Sequence, residues 1–203
     1  MTSKSRTLLN FVCAALFALP AVSSLAETAG WSLDAGASSV NFISIKNDAV
    51  GEVHSFGALS GQIGKGGDAT LSIDLDSVDT LIPIRNERMR EMLFETAKFP
   101  SATVTASVDP EVLSGAGVSG VVRTDLPVTL SLHGMEKTWD AALVVIGQVD
   151  GGVRVFSATP ILVNAADFGL DAGVTALREI AGLKAISNSV PVTLELVFVP
   201  AAK

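Results

Sequence analysis

The chain has 203 residues, a formal net charge of −7, 18 glycines and no tyrosine. So acidic a balance argues against nucleic acid as a partner and against general adhesion to anionic lipid. The length suits one domain with a sizeable core.

Lys4 and Arg6 precede an apolar run from Leu8 to Leu19, followed by Pro20 and "AVSSLA". A positive region, an apolar region and a small-residue site with Ser24 and Ala26 at −3 and −1 predict a signal peptide over 1–26, cleaved after Ala26. An N-terminal membrane anchor is the alternative, but the run falls short of the ~20 residues a spanning helix needs. Cys13 sits too early for a lipoprotein signal, and it leaves with the peptide. The mature chain, 27–203, then has neither thiol nor disulfide and stands on its core alone in an oxidising compartment. Losing Lys4 and Arg6 takes the basic count from 14 to 12 against 21 acidic residues, a net charge of −9. No later segment is long and apolar enough to span a bilayer, so no stable membrane insertion is expected.

Period-2 alternation then dominates. "WSLD" (31–34), "SVNFISIKN" (39–47) and "AVGEVHSFGALSGQIG" (49–64) read as strands. In "ATLSIDLDSVDT" (69–80), Leu71, Ile73 and Leu75 face one way and Ser72, Asp74 and Asp76 the other. That is a half-buried antiparallel strand, with Asp74, Asp76 and Asp79 on a solvated face. Next comes a helix from about Ile84 to Glu95, in "IRNERMREMLF". Pro83 suits its first turn and Pro100 blocks its continuation. Met89, Met92 and Leu93 share a face at i, i+3, i+4, with Arg85 at its edge. Further strands follow in "ATVTASV" (102–108), "PVTLSLHG" (127–134), "DAALVVIGQV" (140–149), "VRVFSATPILV" (153–163) and "PVTLELVFV" (191–199). "SGAGVSG" and "HGMEK" read as turns, with His133 at a hairpin tip. A second helix spans 171–184, with Asp171 as its cap and a stripe of Val174, Leu177, Ile180 and Ala181.

About eight strands in one domain manage their edges best as a closed antiparallel barrel, which has room for one small ligand. A β-sandwich fits the same strand pattern. Ala69, Ala102, Ala106 and Ala142 would leave room inside if they faced inward. Metal chemistry finds little support, because the mature chain has two histidines, His54 and His133, and no cysteine. Glu52 and His54 share a strand face and form either an acid/base pair or a plain rim ion pair. The Met-bearing helix is read as a lid over a barrel opening, with arginines that hold a polar or phosphorylated head group.

At these residues the chain resembles the YceI-like family of lipocalin-like, polyisoprenoid-binding periplasmic proteins. The matching blocks are "WSLDAGASSVNFISIKN", "GALSGQI", "SVDTLIPIRNERMREMLFETAKFPSATVTA", "PVTLSLHGMEKTWDAALVV" and "AADFGLD", in order over about 31–199. Where the family helix often runs Arg-Asp-x-His, this chain has Arg85-Asn86-Glu87-Arg88. The resemblance implies an eight-stranded antiparallel lipocalin-like barrel with one or two short helices. It also implies a periplasmic location and non-catalytic carriage or storage of a long isoprenoid lipid, either a polyprenyl phosphate or a quinone. No cofactor besides that ligand is implied, and a homodimer is compatible with it. The alternative is an interaction or stress-response module with a filled core. The ligand-contacting set expected on this reading is Phe42, His54, Phe56, Arg85, Arg88, Met89, Met92, Leu93, Phe94 and Phe168. Of these, Arg85 matches a family motif position, whereas Met89, Met92 and Leu93 come from helix geometry.

Overall fold

The computed structural model describes residues 29–47 and 49–201. The signal peptide, Cys13 and the cleavage after Ala26 lie outside the described residues.

Twelve strands form one antiparallel sheet among the described residues. They are β1 (Ala29–Leu33), β2 (Ser39–Lys46), β3 (Val50–Phe56), β4 (Leu59–Gly64), β5 (Asp68–Asp74), β6 (Val78–Asp79), β7 (Ser101–Ser107), β8 (Val121–Leu132), β9 (Met135–Gly147), β10 (Val153–Ser157), β11 (Ile161–Asn164) and β12 (Ser189–Pro200). Short interruptions split four staves into the pairs β1/β2, β3/β4, β5/β6 and β10/β11. Counted as staves, the sheet is an eight-stranded up-and-down barrel. β12 closes it, pairing with β10 on one side (Phe198 opposite Val153) and with β1 and β2 on the other (Val199 opposite Ser32, Val192 opposite Phe42). Closure removes the exposed edges that a sandwich would have to protect. The break between β1 and β2 is a 3-10 turn at Ala35–Ala37, held by the Asp34 carboxylate, which accepts from the Gly36 and Ala37 N–H groups at 3.0 and 3.2 Å.

The period-2 reading places the inner wall correctly. Leu71 and Ile73 of β5, Ala141, Leu143 and Val145 of β9, and Leu196 and Phe198 of β12 are buried. The β8–β9 hairpin turns on His133 and Gly134 at φ 53° and 77°. Two consecutive positive φ values are the signature of the two-residue turn that matches strand twist.

Three helices join the staves among the described residues. α1 (Pro83–Arg88) continues directly as a π-helical turn, Met89–Phe94. α2 (Pro110–Ala116) is a departure from the sequence reading, which took "SGAGVSG" as a plain turn. It starts because Asp109 accepts from the Glu111 N–H at 2.8 Å and Pro110 presets the first helical φ. α3 runs only over Asp171–Ile180. Asp171 does not cap it; Leu170 holds that position, with no side-chain bond. Ile180 is 49% exposed, so the buried stripe ends at Leu177. The α1–π segment and α3 lie at one end of the barrel and α2 at the other.

The α2 end depends on one close approach. A Cβ on Gly147 would fall 1.6 Å from the Gly117 carbonyl oxygen and 2.6 Å from that of Ala116. Gly147→Ala is therefore expected to cost about 1–3 kcal/mol, as overpacking does. Urea unfolding of both forms checks this; an unshifted midpoint would mean the 116–120 turn moves aside freely.

Candidate functional site

The barrel interior is open. A cavity of about 250 Å³ runs from Leu93, Phe94, Leu170 and Val174 at the lid end to Val108 and Phe198 near the other. Every β12 residue that points inward lines it: Val190, Val192, Leu194, Leu196 and Phe198. Ala69, Ala106 and Ala141 supply the room, as small residues do in a taper. Ala102 is buried but is not part of the wall, and Ala142 is in the opposite register of β9 to the inward Ala141. Apart from Thr70 and the Trp139 indole, the lining side chains are hydrocarbon.

The lid explains itself through its hydrogen-bond register. In a π-helix the N–H of residue i+5 bonds the carbonyl of residue i, and the wider turn brings residues five apart toward one side. Met89 and Phe94 are so spaced, and both are buried. The wider turn ends on Glu95 in the left-handed region, φ 49°, where its N–H donates to the Arg90 carbonyl. Leu93 and Phe94 thus reach the cavity, while Met92 offers its carbonyl to α3. That contact is tight: a Cβ on Gly173 would lie 2.6 Å from the Met92 oxygen and 2.9 Å from the Leu93 Cα. α3 therefore crosses the π turn at glycine.

A polar cluster sits behind the wall. His54 is 4% exposed, with its Nε2 2.8 Å from Ser44 Oγ. Its ring meets Phe42 at 5.1 Å, Phe42 meets Phe56 at 5.3 Å, and Phe56 meets Phe94 at 6.0 Å. This aromatic chain leads from the polar cluster to the lid. Glu52 pairs with Lys46 at 2.8 Å and with Arg85, rather than acting on His54. Arg85 also donates to the Thr80 carbonyl at 2.6 Å. Thr80 is 2% exposed, and the Asn86 amide oxygen accepts from both its N–H and its hydroxyl. The Lys46 ammonium, helped by Arg85, holds the Glu52 carboxyl below its ordinary range against a burial that pushes it up. Burial, then the Arg85 charge, lowers the His54 pKa from 6.5.

The expected ligand set therefore divides. Phe42, Phe56, Leu93 and Phe94 line the cavity. His54, Arg85, Arg88, Met89, Met92 and Phe168 do not. Met89 and Phe168 are core residues, 6% and 1% exposed. Arg85 is turned to Glu52 and Thr80, and Arg88 is half-buried outside the lining. The run Asp74, Asp76, Asp79 is not merely a solvated face. Asp74 accepts from the Asp76 N–H, Asp76 from the Thr96 hydroxyl at 2.6 Å, and Asp79 from the Leu81 N–H at 2.8 Å. Trp139, Leu170 and Val174 belong to the wall but were not among the expected residues; strand alternation points to Trp139 once the facing of Ala141 is known.

Comparison with known proteins agrees with this architecture. The model of the YceI-like domain matches residues 31–198. A polyisoprenoid binding domain from Saccharophagus degradans, implicated in plant cell wall breakdown, is 43% identical, covers 85% of this chain and 99% of its own, and superposes with a TM-score of 0.83. Burkholderia cenocepacia BcnA is 18% identical over 81% of this chain and 98% of its own, with a TM-score of 0.63. A Campylobacter jejuni YceI protein is 15% identical over 74% and 85%, with a TM-score of 0.51. These last two share the fold. No curated protein matches the sequence.

The buried histidine gives a pH dependence. Its folded pKa lies below the unfolded value of about 6.5, so below that pH the unfolded chain binds the proton first. His54 therefore imposes no penalty above about pH 6.5, and stability falls as pH drops from there through the lowered folded value. Urea midpoints at pH 7.5 and pH 5.5 should differ less in His54→Gln than in the parent. An equal acid loss in both proteins would remove His54 as its source.

Proposed function

Because the chain belongs to the YceI-like domain family, we propose that it is a non-catalytic binding protein that carries or stores a long-chain isoprenoid lipid inside the barrel. The observation that carries this reading is the cavity itself: long, hydrocarbon-walled and roofed by a separate helical lid. Each CH₂ of a tail buried there contributes roughly 0.8 kcal/mol, so the tail supplies affinity and the few polar groups supply orientation. Phe42, Phe56, Leu93 and Phe94 would hold the tail from the lid side. The Saccharophagus degradans relative, a polyisoprenoid binding domain at 43% identity, supports the same ligand class. The head group is a polyprenyl phosphate or an isoprenoid quinone. The N-terminal segment directs export, and the mature chain works in the periplasm.

A catalytic reading has less behind it. His54 touches Ser44, but the pair is buried behind Phe42, and neither residue lines the cavity. An interaction module with a filled core would need side chains in the space the cavity occupies.

Native mass spectrometry of protein purified gently from periplasm, with organic extraction of the bound lipid, tests the proposal. A stoichiometric isoprenoid is expected. A clean apo mass with no uptake of added quinone or polyprenyl phosphate would overturn it. In parallel, Ala141→Phe fills the cavity from β9 and is expected to weaken uptake roughly tenfold or more while the fold persists, because the space is apolar and not filled by side chains.

A further inference from the structure

Exposed large apolar side chains gather at both ends of the barrel. At the α2 end, Val118, Val121 and Val149 are separated in sequence. At the lid end they are nearly consecutive. Leu81, Ile82 and Ile84, with the exposed Pro83 between them, form a knuckle without one polar side chain. Leu81 is 85% exposed. β6 pairs with β3 through Asp79 and Ser55, so the knuckle leaves the sheet along β3 toward Val53, itself 62% exposed.

Holding Leu81 out costs strain. At φ 62° it lies in the left-handed region, which a leucine adopts only when its surroundings impose it. The Asp79 carboxylate accepts from the Leu81 N–H at 2.8 Å, and the Asn86 amide oxygen accepts from the Thr80 N–H at 2.8 Å. A turn that only joined β6 to α1 would favour glycine or asparagine at that position. The backbone around the knuckle is also paired from within. The Thr80 carbonyl accepts from Arg85 at 2.6 Å, the Ile82 carbonyl accepts from the N–H groups of Arg85 and Asn86 at 3.0 Å each, and Pro83 has no N–H. Backbone groups paired in this way enter a nonpolar medium at little cost, whereas unpaired ones do not.

We propose that the Leu81–Ile84 knuckle inserts into the surface of a zwitterionic phospholipid bilayer and docks the lid end of the barrel on it. This rests on the isoprenoid reading above, because so apolar a ligand resides in a membrane when it is not in a carrier. Continuity with the cavity supports the bilayer as occupant. α1 begins at Pro83 and runs directly into the π turn, whose Leu93 and Phe94 line the cavity. The anchor and the roof are thus one segment. Charge selects the kind of bilayer. The chain carries −7, Asp79 and Glu87 are exposed beside the knuckle, and Arg85 is engaged by Glu52. An anionic surface would be repelled, so the attraction is apolar and zwitterionic lipid suits it.

Co-sedimentation with phosphatidylcholine vesicles tests the docking. The double variant Leu81→Asn/Ile84→Gln removes two of the three anchors. Asparagine accepts the left-handed φ and glutamine suits a helix, so the thermal midpoint is expected to hold or rise. Vesicle binding is expected to fall about 10-fold or more. Val149→Asn, at the α2 end, is expected to bind as the parent does. Ile84→Gln alone leaves the turn untouched; it is expected to weaken binding about 3-fold and carries the test if the double variant fails to fold. No binding by the parent, equal binding by the knuckle variants, or an equal loss in Val149→Asn overturns the proposal. So does binding that requires phosphatidylglycerol and vanishes in high salt. A parent that ignores vesicles but self-associates, with the double variant monomeric, also overturns it and makes a second copy of the chain the occupant. A second readout separates the docking from the isoprenoid reading. Uptake of an isoprenoid benzoquinone from detergent, read by native mass spectrometry, is expected to be equal in parent and double variant, while transfer of that quinone from vesicles slows about 10-fold in the variant. Equal transfer rates overturn the docking and leave the isoprenoid reading standing. No uptake from detergent by either protein overturns the isoprenoid reading, whereas vesicle binding lost in the double variant still upholds the docking.

Discussion

The architecture depends on β12. This one strand spends its hydrogen bonds on four others, pairing with β1, β2, β10 and β11. Its inward side chains, from Val190 to Phe198, form one continuous apolar strip of the cavity wall. Without it, the meander from β1 to β10 would be an open sheet with two long edges, both free to pair with other chains. The strand that closes the barrel thus also supplies part of the cavity wall. A change that weakens β12 pairing weakens both, and the two effects would be hard to separate by mutation of that strand.

Closure around small residues leaves a space that no side chain fills, and such a space has a cost. By the scale of engineered core cavities, an unfilled 250 Å³ forfeits on the order of 6 kcal/mol relative to a packed interior. That is a large share of the ~5–15 kcal/mol by which domains are stable. The fold tolerates it because the closed ladder satisfies the backbone and because the outer parts of the core are densely packed around Leu75, Phe168 and Thr80, each at most 2% exposed. An apolar tail that fills the space recovers lost dispersion contacts without moving the walls. The chain is therefore built to gain stability from an apolar occupant, and this holds whatever head group the occupant bears.

Much of this was legible in the sequence. Alternation in segments such as 69–80 and 140–149 gives both the strands and their inward faces, because a half-buried sheet forces period 2 on any chain that folds into it. Staves with a break read less clearly. The split between β3 and β4 at Gly57–Ala58 leaves the alternation in "AVGEVHSFGALSGQIG" intact on either side, so one strand or two write nearly the same pattern. α2 hid behind its glycines, although Asp109-Pro110 carries a start signal. The lid shows a subtler failure. A 3.6-residue template over Met89–Phe94 selects Met92 as an inward residue, whereas the π register selects Phe94. No local pattern announces a π turn; it results from tertiary packing of the lid against β-strands below and α3 above. That β10 leaves β9 beyond Leu143 was equally invisible, since which strands fail to pair is a property of the closed sheet.

The arginines show how architecture reassigns a charge that sequence alone points elsewhere. On a helix at the end of an apolar barrel, Arg85 reads as a hand held out to a ligand. In the fold it reaches back to Glu52 on β3, which already holds Lys46, and to the Thr80 carbonyl, which Asn86 fixes from the other side. These contacts tie the start of α1 to the barrel at the point where Leu81 takes a left-handed φ of 62° and stands exposed. A strained residue persists only where its neighbours over-determine it, and Asp79, Asn86 and Arg85 do so here. Freeing Arg85 for an anion would leave Glu52 short of a partner and the lid without its tether. The Arg85 charge thus ties the start of α1 to β3.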